Sequence, residues 1–289
     1  MKSSSEPIPP GFSEPGRSAG LLGVFRRRYL LSLIVRKEVQ VRYRGSVLGW
    51  LWSYVKPTAQ FIVYFLALGI FLRLNGALEY YPIYLFSGLI VINFFTEAFS
   101  NGTRAIVDNG PLIKKIFLPR EMFPVSSTIV AFVNFLPQLL VTLVVCLVVG
   151  WHPQPLQVVG VLVGILIVGL LATGLGMLFG AINVSFRDSQ NFVDLILLVV
   201  LWASPVLYPW TTVRDNVPDW LLQVYLANPV TVAVELFHAG LWLPTTDGSF
   251  ELPPDLFLRA GVGLAIALVV IALGQLVFRK LEGRFAQDL

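Results

Sequence analysis

Long apolar runs alternate with short polar islands along this chain, and the length of the runs is the first constraint on its fold. Six stretches, at about 51–72, 82–103, 123–149, 157–181, 191–209 and 256–278, each approach the ~20 apolar residues that a helix needs to cross a bilayer's hydrocarbon. They predict six transmembrane helices. Residues 1–20 are rich in Ser, Pro and Gly with little to bury, which predicts a disordered tail. Residues 21–45 interleave Arg26, Arg27, Arg28, Arg36, Lys37, Arg42 and Arg44 with Val24, Leu31, Val35 and Val39. Those four apolar residues share one helical arc, on which Arg28 and Arg42 intrude. The stretch predicts a basic amphipathic helix lying at the membrane interface, too charged to span.

Two polar segments carry further elements. Between the second and third runs, Asp108 and Asn109 can cap a helix with Pro111 in its first turn, and Pro119 stops it, predicting a short helix at about 110–118. Leu112, Ile113, Ile116 and Phe117 fall on one arc of it and Lys114 and Lys115 on the other, so an apolar knob faces away from two lysines. The segment 210–255 holds two short apolar helices, 219–227 and 229–239, the second capped by Asn228 and stopped by Gly240. Each is too short to cross. Two readings stand: a re-entrant pair dipping into the outer leaflet, or a small cap packed on itself.

Composition agrees with the pattern. The chain has 289 residues, 56% hydrophobic and 13% charged, with a mean hydropathy of +0.75, so a soluble core is excluded and the fold class is an all-α integral membrane protein. Residues 46–289 form one transmembrane domain. The net charge of +4 resolves into topology rather than nucleic-acid binding. Lys and Arg number ten in residues 1–56, four in 104–121, one in 182–190 and three in 279–289, whereas the opposite side holds only Arg73, Arg214 and Arg259. By the positive-inside rule both termini and the 104–121 loop are cytoplasmic, as for a multi-pass protein of a bacterial plasma membrane. The single cysteine, Cys146, permits no intrachain disulfide.

A resemblance adds to this reading. The run Val41-Arg42-Tyr43-Arg44-Gly45-Ser46-Val47-Leu48-Gly49-Trp50-Leu51-Trp52 with Pro57, the pieces Pro111-Leu-Ile-Lys-Lys115 and Phe117-Leu-Pro-Arg-Glu121, Phe186-Arg187-Asp188, Ser204-Pro-Val-Leu-Tyr-Pro209, and Asn228-Pro229 with Glu235 and Phe237 occur in the order seen in ABC-2 type permeases of polysaccharide exporters. The chain resembles that family from about residue 25 onward. The resemblance implies a homodimeric permease, bound to two copies of a separate ATPase subunit, that passes a lipid-linked glycan outward. Related permeases that move drugs or small lipids, and a membrane-embedded enzyme of envelope biosynthesis, are the alternatives.

Candidate residues follow from both sources. No G-x-x-x-x-G-K-[ST] loop is present, so ATP and Mg are expected on the partner subunit and no cofactor on this chain. The ATPase-coupling candidates are Leu112, Ile113, Lys114, Lys115, Ile116, Phe117, Arg120 and Glu121. Arg42, Tyr43 and Arg44 stand at headgroup level before the first span and are candidates for the substrate's phosphates, with plain attraction to anionic lipid as the alternative. Tyr208, Trp210 and Trp220 are candidate channel-mouth residues, since sugar rings stack on aromatic faces. Glu97 is expected to pair with Arg104, and Asp194 with Arg187, along their own helices. The glycines from Gly160 to Gly180 are expected to let helices pack closely. No metal spacing and no nucleophile or paired-acid motif points to catalysis.

Overall fold

A computed structural model describes residues 20–43, 45, 49–115, 118–248 and 250–289. The tail expected at 1–20 thus lies, Gly20 apart, outside the described residues. Among those residues every regular element is a helix. It runs α1 (Leu21–Arg26), α2 (Arg28–Tyr43), α3 (Trp52–Tyr64), α4 (Leu74–Ala77), α5 (Tyr81–Asp108), α6 (Gly110–Lys115), α7 (Met122–Val149), α8 (Pro155–Ser185), α9 (Ser189–Trp202), α10 (Trp210–Asn216), α11 (Asp219–Ala227), α12 (Pro229–Phe237), α13 (Leu256–Leu281) and α14 (Phe285–Asp288). Among the described residues five helices are long and apolar enough to cross a membrane, α3 with its continuation to Phe71, α5, α7, α8 and α13, and the bent pair Asp219–Ala227 and Pro229–Thr245 passes the same test when taken together.

The fifth expected span, 191–209, is shorter than its apolar run. α9 has 14 residues and stops at Trp202, a rise of about 21 Å against a hydrocarbon thickness of about 30 Å. Pro205 biases Ser204 away from helical backbone, and Pro205 and Pro209 supply no N–H to continue one. Residues 203–209 therefore turn as an irregular corner. Tyr84 of α5 holds that corner, its hydroxyl lying 2.7 Å from the Pro205 carbonyl and 2.9 Å from that of Tyr208 as donor.

α5 is the most buried span and lies against α7 and α8, while α13 packs on the other side of α8. Aromatic rings fill the seam between α5, α7 and α12: Phe94 meets Phe135 at 5.2 Å between ring centres, and Phe135 meets Phe237 at 6.1 Å. Small residues set the crossings of α8. A Cβ on Gly102 of α5 would stand 3.1 Å from the Gly176 Cα, and one on Gly180 would stand 2.9 Å from the Gly102 carbonyl oxygen. In lipid no hydrophobic effect pulls helices together, so contact of this closeness is what association rests on.

The segment before α13 differs from its expectation in one respect. α11 and the helical run from Pro229 to Thr245 meet at a bend of 75°, with the Asn228 side chain accepting from the Val230 N–H at 3.0 Å as the cap. Gly240, however, does not end the second helix, which continues as a π turn over His238–Trp242 and a 3-10 turn over Leu243–Thr245. A Cβ there would lie 2.4 Å from Val161 Cγ2 and 2.8 Å from the Gln157 carbonyl oxygen, so this glycine serves close approach to α8. Every residue of α12 from Val230 to Phe237 is buried, against α5, α8 and α13.

Candidate functional site

The end of the bundle that carries the basic residues is assembled by α2. Leu31 and Ile34 are buried, and one and two turns further on the same face three polar side chains reach other elements. Lys37 donates to the Asn109 side chain at 2.6 Å, Glu38 accepts from the Ser126 hydroxyl at 2.6 Å, and Arg42 forms an ion pair with Glu97 of α5. Burial is the main cause holding the Glu38 carboxyl above the usual carboxylate range; the Ser126 hydroxyl and then Arg42 and Lys37 offset part of it. The intrusion of Arg42 on the apolar stripe thus has a cause. The stripe faces the bundle, and Arg42 answers a carboxylate there.

This overturns the expected pairing of Glu97 with Arg104. Arg104 instead donates to Ser100 at 2.8 Å, while Asn134 of α7 donates to Glu97 at 2.7 Å. Asp194 is likewise bonded not to Arg187 but to Gln190, at 3.2 Å. A helix offers i,i+4 neighbours at low cost, but its buried face meets other helices, and there the cross-helix partner wins.

Beside the Arg42–Glu97 pair lies a cavity of about 360 Å³, whose charged lining is Arg42, Lys56, Glu97 and Arg104. It shares Lys56, Gln60, Asn93 and Arg104 with a groove of about 700 Å³ between α3, α5 and α9, which reaches Asp194 and Leu201. Lys56, Gln60 and Asn93 escaped the sequence reading as site residues. Their signal was present: Asn93, Glu97, Ser100 and Arg104 recur at the helical period along α5, and Lys56 and Gln60 one turn apart on α3. Of the headgroup candidates, Arg42 lines the cavity, Tyr43 closes α2, and Arg44 lies outside the described residues.

The short helix at the same end is α6, described over Gly110–Lys115 of the expected 110–118. Asn109 does not cap it through its side chain, which donates back to the Ala105 carbonyl at 2.8 Å; the Asn109 backbone carbonyl accepts from Leu112 and Ile113 instead. Lys114 and Lys115 are exposed, Leu112 is half-buried, and Ile113 is buried in a cluster with Phe278 and Phe285. Part of the expected knob is therefore covered by the chain's own C-terminal segment. Ile116 and Phe117 lie outside the described residues. Arg120 and Glu121, expected toward a partner, are turned inward: Arg120 donates to the Glu282 carbonyl and stands over the Phe285 ring, and Glu121 is buried and accepts from Gln275 at 3.0 Å.

At the opposite end Tyr208 lines a cavity of about 600 Å³ together with Asn216, Tyr225 and Asn228. Trp220 is exposed on α11. Trp210 is buried, donates its indole N–H to the Glu251 carbonyl at 2.8 Å, and carries the Arg214 guanidinium 5.1 Å from its ring centre. It braces the acidic segment.

Comparison with known proteins places this arrangement. The chain is 34% identical over 273 residues to the O-antigen export system permease protein RfbA of Myxococcus xanthus, covering 92% of this chain and 97% of that one. It is 27% identical over 266 residues to the O-antigen export system permease protein RfbA of Klebsiella pneumoniae, covering 90% and 95%. The polysialic acid transport protein KpsM of Escherichia coli is 22% identical over 204 residues, covering 69% and 76%. The family described as ABC-2 type transporter matches residues 29–242, and the chain belongs to it.

Proposed function

We propose that this chain is the permease subunit of an ABC transporter exporting a lipid-linked polysaccharide from the cytoplasmic leaflet, driven by ATP hydrolysis in a separate subunit. The observation that carries the reading is the cation-lined cavity opening into a groove along α3, α5 and α9, in a chain whose relatives are named for export of O-antigen and polysialic acid. The basic end faces the cytoplasm, where α2 lies along the leaflet and the cavity meets the phosphate-bearing end of the substrate. Exposed apolar side chains on α3, its continuation to Phe71 and α9, among them Val63, Leu66, Leu198 and Trp202, flank the groove. A second copy of the chain covers it, so that the pathway is closed only in the homodimer.

Energy enters at α6. Its exposed Lys114 and Lys115, with Leu112 and the neighbouring Ile116 and Phe117, dock into one ATPase copy per permease chain, so that the homodimer binds two copies that hold ATP and Mg. Arg120, Glu121 and Ile113 tie that turn to α13 and α14, which makes α6 a rigid lever on the bundle. Depleting the protein is expected to leave a lipid-linked glycan accumulating inside cells while the surface glycan disappears. Unchanged surface glycan would sink the reading. The Ile116→Asp, Phe117→Asp variant is expected to lose co-purification of the ATPase, and its retention would remove α6 as the docking element.

A further inference from the structure

We propose that Glu97 is the resident counter-ion of an anion site formed by Arg42, Lys56 and Arg104, and that a diphosphate headgroup enters by taking Arg42 from Glu97. Resting on the export reading above, this assigns the residues that read the substrate's charged end. The three cations come from three elements, α2, α3 and α5, and line one concavity. Among the described residues Lys56 has no ion-pair partner, and Arg104 bonds the neutral Ser100, with the Asp108 carboxylate one turn further along α5 within reach of its charge. Their charge is gathered in one concave site whose other walls are mostly polar side chains, which attracts an entering anion.

Glu97 supplies what three cations alone would lack, which is discrimination. Any anionic lipid at this leaflet is attracted to a basic cavity. Only a headgroup able to satisfy Arg42 as well as the carboxylate does, while also reaching Lys56 or Arg104, gains by displacing that carboxylate. A diphosphate carries two phosphoryl groups to span two cations; a lipid with one phosphate has a single phosphoryl group to offer. Asn134 makes the exchange inexpensive. Its amide donates to the same Glu97 oxygen that Arg42 holds, so the carboxylate keeps a hydrogen bond when Arg42 leaves. On the groove side the facing carboxylate is Asp194, which Gln190 holds.

The test uses the full chain reconstituted in phosphatidylcholine vesicles, with a radiolabelled polyisoprenyl diphosphate as probe and a polyisoprenyl monophosphate and inorganic pyrophosphate as competitors. Lys56→Gln and Arg104→Gln are each expected to weaken diphosphate binding about tenfold, the loss of one charge-assisted hydrogen bond. Glu97→Gln is expected to keep or tighten diphosphate binding while its preference over the monophosphate falls about tenfold, as the competitor for Arg42 is gone. Displacement of the lipid by inorganic pyrophosphate, weakened in Lys56→Gln, supports a site that reads the headgroup. Binding that excess pyrophosphate leaves intact belongs to the isoprenoid tail and overturns the proposal. An unchanged preference in Glu97→Gln overturns it too, and thermal unfolding of each variant separates lost binding from lost fold. Should wild-type and variants bind alike, this assignment falls while the export reading stands; that reading falls only on unchanged surface glycan after depletion.

Discussion

Gly274 of α13 lies so close to Gly174 of α8 that a Cβ built on it would stand 2.3 Å from the Gly174 carbonyl oxygen. Backbone cannot yield as a flexible side chain does. Gly274→Val is therefore expected to part α13 from α8 at a cost of about 1–3 kcal/mol or more, read as a lower unfolding temperature of the detergent-purified protein. Gly261 on the same helix has nothing within 4 Å of its notional Cβ, so Gly261→Val is the control and should unfold as wild type does. Equal melting of the two variants would show that backbone proximity does not set this crossing.

The contact between α2 and α7 is expected to depend on pH through Glu38. Its folded-state pKa is raised by burial above the unfolded value, so the fold favours the protonated form. The stabilisation is fully present below the ordinary carboxylate range and is lost as pH rises through the raised folded value. Amide exchange in α2, corrected for its intrinsic pH dependence, should be slower on the acid side. Glu38→Gln should remove the dependence and hold α2 in the slower-exchanging state at neutral pH; a pH profile surviving in that variant would assign the titration to another group.

Tyr84 fixes the corner that ends α9. Its hydroxyl is the donor to two carbonyls in a segment where Pro205 and Pro209 reduce the backbone's own hydrogen bonding, and its ring stacks on His238 at 3.9 Å between centres. Tyr84→Phe keeps the stacking and removes the donor. A loss of about 1–3 kcal/mol is expected, as for a buried acceptor left unsatisfied, measured by denaturation in detergent. Wild-type stability in the variant would mean that the carbonyls find another donor.

The spans were legible because their length and apolarity answer to bilayer thickness alone, and the ends of α5, α7 and α8 fall within a few residues of their apolar runs. Asn228 and Pro229 likewise announced α12 through local chemistry. What the sequence hid depends on which helices meet. Gly240 reads as a helix stop until α8 is seen against it, the bond from Trp210 to the Glu251 carbonyl has no signal in the sequence, and Arg42 reads as a flaw in an apolar stripe. A one-dimensional pattern reports the face of a helix, not the identity of its neighbour. The cavity beside the Arg42–Glu97 pair is where that difference matters, because its lining comes from elements far apart in the chain.

The Arg42–Glu97 pair supplies the last prediction, since a pair meant to exchange must not be what holds the fold. The side chains are 32% and 26% exposed, so solvent screens them and the pair is worth only about 0.2–1 kcal/mol. α2 has other anchors in Leu31, Ile34 and the Lys37–Asn109 and Glu38–Ser126 hydrogen bonds. A double-mutant cycle of Arg42→Gln and Glu97→Gln is expected to give a coupling below about 1 kcal/mol in unfolding, and α2 should keep its amide protection in Arg42→Gln. A coupling of several kcal/mol, or loss of that protection, would make the pair a structural clasp. Arg42 would then be unable to leave Glu97 for a phosphate without releasing the helix that carries it.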